Sequence, residues 1–227
     1  MDTFLISIEG SDGAGNATQS ALLKEWFLFL GLTVTTVSFP RYRDTWAGKM
    51  LWDFMKGPVA HTHQFSQCSP YEASTYYAED RRESLSYLRN LISQHAVVIF
   101  DRYVESNLIH QGGKLGTNGE LNDFAQWIFN LEYKQHKLPQ PGVIFYLDLP
   151  LDVALERVKG QAKERGEQPD AVEFDTAYIR NSHHAGLFYA EKLGWYMIPC
   201  VTTDGKERDV SEIQNHIRGV LTRKYNL

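Results

Sequence analysis

The sequence predicts an α/β protein built on a five-stranded parallel sheet with helices on both faces. Three observations predict it. Apolar segments rich in strand-forming residues recur at Phe4–Ile8, Thr33–Phe39, Val97–Phe100, Val143–Leu147 and Trp195–Cys200. The stretches between them are longer and carry helical spacing. A glycine-rich turn follows the first apolar run directly. Strands apolar along nearly their whole length are covered on both sides, which favours a parallel sheet whose ligands meet the carboxyl ends of the strands.

The elements follow in order. After the first strand, Leu22, Leu23, Trp26, Phe27 and Leu30 fall on one helical face, and Gly31 supplies the stop. A second helix is expected over about Glu72–Ser93, which places Tyr77 and Arg81 four residues apart on one face. After the third strand, Ser106, Asn107, His110 and Gln111 share a face if that stretch is helical. The polar run Lys159–Asp170 reads as a mobile surface loop. The 227 residues show no repeat, no low-complexity run and no break in composition, so one domain over 1–227 is expected.

A net charge of -5 argues against a nucleic-acid polymer or an anionic membrane as partner, because both select clustered positive charge. A small anion held by a few local cations remains compatible. Cys68 and Cys200 are the two cysteines. Neither has ligand-spaced neighbours for zinc, and both read as packing residues. His61, His63, His183 and His184 read as polar surface side chains. With no apolar stretch long enough to span a bilayer and no leader-like start, a reduced cytoplasmic setting is expected.

The turn after the first strand reads Gly10-Ser11-Asp12-Gly13-Ala14-Gly15-Asn16-Ala17-Thr18 and opens a helix, the context of the Walker A loop GxxxxGK[ST]. Such a P-loop turns backbone N–H groups toward phosphate oxygens, and the helix N-terminus adds a positive dipole end. Gly10, Gly13, Ala14, Gly15, Asn16, Ala17 and Thr18 are the expected ATP-binding residues. Two positions depart from the motif: Asn16 stands at the lysine and Ala17 at the magnesium-binding Ser/Thr. The anion cradle survives, but its side-chain charge does not. The third strand ends in Asp101, as a Walker B strand does. Asp12 and Asp101 are therefore the candidate Mg2+ anchors, direct or through water. Taken alone, Asp101 could be a carboxylate that caps the next segment, a reading weakened by the P-loop that precedes it.

Four segments then resemble the thymidylate kinase family in order and spacing over nearly the whole chain. They are Ile8–Gly15, Phe39-Pro40-Arg41-Tyr42, Tyr77-Ala78-Glu79-Asp80-Arg81 and Asp101–Asn107. The resemblance implies a P-loop NTPase fold of the nucleoside monophosphate kinase type. It implies an acceptor site in which Arg41 and Arg102 hold the phosphate of dTMP, beside Phe39. Tyr77 would stack on thymine, Arg81 would bond its carbonyl oxygen and Asn107 its edge, with Ser106 and Gln111 on the same face. His110 takes the place of an aromatic that packs against the sugar, and Asp12 lies near the acceptor 3′-hydroxyl. The segment 159–170 would be the lid over the donor triphosphate, with Arg157, Lys159, Lys163 and Arg165 as its cations. Because Gly13 is uncharged, lid cations would stabilise the transferring phosphoryl group, and a homodimer is implied.

The leading expectation is transfer of the ATP γ-phosphoryl group to dTMP. A second reading keeps the fold and acceptor pocket but has lost turnover through Asn16 and Ala17, leaving a nucleotide-binding or interaction module. A kinase of unphosphorylated nucleosides fits less well, since two arginines are assigned to an acceptor phosphate.

Overall fold

The computed structural model describes residues 3–57, 68–165 and 176–227, with the backbone alone at 158, 159 and 161–165. Five strands form the sheet: β1 (Phe4–Gly10), β2 (Val34–Ser38), β3 (Val97–Asp101), β4 (Val143–Asp148) and β5 (Tyr196–Pro199). Their order is β2-β3-β1-β4-β5, and every neighbouring pair is parallel. The register sets Ile8 and Ser38 opposite Asp101, so β2 and β3 finish level and β1 runs two residues further, to Gly10. That shared edge collects Gly10 and its loop, Phe39 and Arg102.

Nine α-helices are described: α1 (Asn16–Phe29), α2 (Trp46–Met55), α3 (Pro70–Glu83), α4 (Leu85–Gln94), α5 (Glu105–His110), α6 (Asn118–Phe129), α7 (Leu151–Arg165), α8 (Thr176–Leu193) and α9 (Val210–Tyr225). On one face of the sheet, Ile6 and Ile8 pack with Leu23 and Phe27 of α1 and with Ile213, Ile217 and Leu221 of α9. On the other, Val98 and Phe100 pack with Leu108, Phe124, Ile128 and Tyr189 from α5, α6 and α8. Burial of each such side chain contributes about 1.5–3 kcal/mol before chain entropy is charged against it. Strand β1 breaks the apolar rule on this second face with Ser7 and Glu9, both fully buried.

Gly31 closes α1 as expected. Its φ is 77°, and the N–H groups of Gly31 and Leu32 bond the carbonyls of Leu28 and Phe27, a Schellman ending. Only Leu23 and Phe27 of the expected apolar face are fully buried, and Leu30 is 40% exposed. Two expectations are corrected. The helix over Glu72–Ser93 is two helices, because the Ser84 hydroxyl donates back to the Asp80 carbonyl at 2.9 Å and competes with the regular ladder. The loop expected from Lys159 is helical as far as Arg165, since Gln161, Ala162, Lys163, Glu164 and Arg165 are all good helix formers. Residues 166–170 lie outside the described residues. No described helix is long and apolar enough to cross a membrane.

Candidate active site

The glycine loop leaves β1 and enters α1 through left-handed Gly13 (φ 81°) and Gly15 (φ 96°), conformations glycine adopts without strain. Gly10 is needed for space: a Cβ there would lie 2.8 Å from Ala14 Cβ and from Asn16 Oδ1. No side chain caps the first turn of α1, which leaves its N–H groups to an anion. Asn16 is 5% exposed, and among the described residues neither its Oδ1 nor its Nδ2 has a hydrogen-bond partner. It folds against Gly10, whereas Ala17 and Thr18 are exposed. One cation reaches the loop from α7. Arg157 Nη1 donates to the Gly13 carbonyl at 3.2 Å while its guanidinium pairs with Glu207. Side chains of Lys159, Lys163 and Arg165 lie outside the described residues.

Beside the loop, at the carboxyl ends of β1 and β3, is a cavity of about 320 Å³. It brings together Asp12, Phe39, Tyr77, Arg81, Asp101, Arg102, Ser106, Asn107, His110 and Gln111. Arg41 is not among its lining residues. Its guanidinium turns into a neighbouring groove, where it bonds Ser84 Oγ at 3.1 Å, pairs with Asp44 at 3.2 Å and lies 4.2 Å over the Tyr87 ring. The expectation that Arg41 shares the acceptor pocket is therefore not met in this conformation: local partners hold both ends of its fork.

Arg102 is the hub of the cavity. It is a non-glycine residue in left-handed backbone (φ 66°), a strained geometry of the kind kept where a side chain must be aimed. Its Nη2 donates to Asp12 Oδ1 at 2.7 Å and its Nη1 meets His110 Nε2 at 2.6 Å. Arginine can only donate, so Nε2 accepts; in a neutral ring Nδ1 then carries the proton toward the Tyr178 hydroxyl oxygen, 3.0 Å away. Burial, with Arg102 adding to it against the opposing pull of Asp12, lowers the His110 pKa to about 4 and keeps the ring neutral. Burial by itself would raise the Asp12 carboxyl, but Arg102 holds it below the usual range.

Under this hub, Glu9 accepts from the Tyr103 N–H at 2.7 Å and from the Ser106 hydroxyl. Glu105 is pushed up to about 8 by burial and by the neighbouring Glu9 charge. At the far end, Arg81 is 2% exposed, and its Nε and Nη2 both go to Glu132, the latter at 2.8 Å. Glu132 is fully buried in a π-helical turn, Asn130–Gln135, that continues α6. It also accepts from Asn107 Nδ2 at 3.0 Å. Sequence reading missed Glu132 and Tyr178. The first had a signal, a lone acid within the apolar run Trp127–Tyr133; the second had none.

A family model described as thymidylate kinase matches residues 8–212. The thymidylate kinase of Mycobacterium tuberculosis is 32% identical over 194 residues, 84% of this chain and 87% of that one. This chain belongs to the thymidylate kinase family. A probable thymidylate kinase of Methanothermobacter thermautotrophicus is 28% identical over 222 residues, 98% and 96% of the two chains. The solved thymidylate kinase structure from Candida albicans shares the fold, with a TM-score of 0.70 over 99% of this chain and 93% of that one at 18% identity. The fold of this chain is that of the P-loop NTPases of the nucleoside monophosphate kinase type.

Proposed function

We infer that this chain transfers the γ-phosphoryl group of ATP to dTMP, giving dTDP and ADP. The observation that carries the reading is the cavity abutting the P-loop, which is lined by two guanidiniums, Arg102 and Arg81, by aromatic rings that include Phe39 and Tyr77, and by the amides of Asn107 and Gln111. Arg102, nearest the P-loop through Asp12 and the Gly10 carbonyl, is the phosphate ligand. Phe39 and Tyr77 flank the base, and Arg81, Asn107 and Gln111 meet its polar edge.

A phosphate oxygen of dTMP attacks the γ-phosphorus in line, the bond to the β-bridging oxygen breaks, and ADP leaves with that electron pair. The protein's share is positioning and charge compensation. P-loop N–H groups hold the β-phosphate, and Arg157, already at the Gly13 carbonyl, is the cation placed to replace the missing lysine. Lys159, Lys163 and Arg165 are the further cations that the family resemblance assigns to the donor triphosphate. Magnesium fits this donor set as an ion held through one or two carboxylates, water and the phosphates. Asp101, bonded to Ser38 at 3.1 Å, and Asp12 would hold it; it would neutralise charge on the β- and γ-phosphates. No cluster of three metal-ligating side chains exists among the described residues, so an all-protein cage is not part of the reading. A homodimer and a cytoplasmic setting complete it, the latter supported by two unpaired cysteines.

A coupled ADP-release assay with ATP, magnesium and dTMP tests the proposal. Arg102→Ala should then raise the KM for dTMP by about 10- to 100-fold, the loss of a charge-assisted bond of about 1.5–3 kcal/mol. An unchanged KM with a large drop in Tm would make Arg102 a structural ion-pair residue instead.

A further inference from the structure

The base end of the cavity holds two amides and one guanidinium, and a single buried carboxylate, Glu132, bonds the guanidinium and one of the amides. Asn107 Nδ2 donates to Glu132 Oε1 at 3.0 Å and to the Ser74 carbonyl at 3.4 Å, two groups that can only accept. The amide is therefore oriented by its partners, with Nδ2 turned into the protein; among the described residues no donor engages Oδ1. Asn107 lines the cavity. What it offers a ligand is an acceptor. Arg81 spends Nε and one Nη2 hydrogen on Glu132 and one Nη1 hydrogen on the Tyr103 carbonyl at 3.2 Å, which leaves one donor on each Nη. What it offers is a donor.

We propose that Glu132 is the specificity-setting residue of the acceptor site: by pinning Asn107 and Arg81 together it fixes an acceptor-beside-donor edge that matches a pyrimidine with N3–H next to a C4 carbonyl and opposes one with a bare N3 next to a C4 amine. The proposal rests on the nucleoside monophosphate kinase reading and deepens it. Thymine and uracil present the matching pattern, and cytosine presents its inverse. Gln111 cannot set this polarity, because its Oε1 has no partner that would choose between the two amide orientations. Glu132 touches neither phosphate nor base; it acts through the two residues that do. The π-helical turn is the device that delivers it, since the extra residue in that turn rotates one side chain inward at the end of an otherwise amphipathic helix.

The test compares kcat/KM for dTMP and dCMP in the native protein, Glu132→Gln, Glu132→Asp and Gln111→Leu. Glutamine at 132 offers an N–H₂ that lets the Asn107 amide reverse. Glu132→Gln should therefore lower the dTMP to dCMP preference by about 10- to 100-fold, the discrimination carried by one well-made polar pair. Glu132→Asp keeps an acceptor-only partner and should keep the preference even at a reduced rate. A merely structural Glu132 would lower both substrates equally in the glutamine variant, and that result overturns the proposal. Should Glu132→Gln fail to fold, Gln111→Leu decides: a retained preference leaves Asn107 as the reader, whereas its loss moves the reading to Gln111 and overturns the role of Glu132. A native protein that turns over neither monophosphate would count against the kinase reading alone, because calorimetric titration of dTMP against dCMP on the same variants still measures the ratio.

Discussion

At the scale of single residues, the glycine loop departs twice from the Walker A motif, with Asn16 at the lysine and Ala17 at the Ser/Thr. Asn16 occupies the lysine position, is nearly sealed from solvent and has an amide without partners among the described residues. Asn16→Lys should therefore raise kcat by about 10²-fold or more, the typical value of one preorganised donor, while the KM for dTMP stays the same. Steady-state rates check this, and an unchanged kcat would mean that a cation from α7, Arg157 foremost, already compensates the transferring charge. His110 gives a pH prediction. Its folded pKa is about 4 against an unfolded value near 6.5, so the folded state resists protonation. The stability this neutral ring contributes is complete above pH 6.5 and is lost as pH falls toward 4. Melting curves of the native protein should fall more steeply over that window than those of His110→Gln, whose side chain can still accept from Arg102. Parallel curves would place the titration elsewhere.

At the scale of elements, the acceptor cavity depends on α2 lying close against the turn after β2. Thr45 caps α2 by accepting from the Gly48 N–H at 2.9 Å, and a Cβ at Gly48 would lie 2.2 Å from the Arg41 carbonyl oxygen. Gly48→Ala therefore pushes helix and turn apart. The expected cost is about 1–3 kcal/mol, or roughly 2–4 °C in Tm per kcal/mol for a chain of this size. Because that turn carries Phe39 and Pro40 into the cavity, dTMP affinity should fall with it. A drop in Tm with native affinity would mean that the turn adjusts without moving Phe39. The α3–α4 junction shows the same coupling between local chemistry and site. Ser84 interrupts one expected helix, and its hydroxyl then receives Arg41 Nη1.

At the scale of the whole molecule, the cavity is lined from the P-loop, the turns after β2 and β3, and helices α2, α3, α5 and α8. A ligand there ties these parts together and binds the folded state alone. At 100 times its Kd, dTMP should stabilise the protein by about 2.7 kcal/mol, read as a rise in Tm. Equal stabilisation by dCMP at the same concentration would contradict the assigned base edge. Much of this plan is legible in the chain. Five apolar runs gave five strands within one or two residues at most ends, because a strand buried on both faces leaves a continuous apolar signature. The P-loop, the turn at Arg102 and the face of α5 were equally legible, since each is a contiguous segment whose chemistry is local. Tertiary structure alone decided three things. It turned Arg41 toward Asp44 and Tyr87, because an arginine with partners within reach of its own turn takes them. It brought Tyr178 against His110 across 68 residues and Glu132 against Arg81 across 51. Pairings over such separations have no periodicity or spacing to announce them; they are set by where helices land on the sheet, which depends on the packing of the whole core.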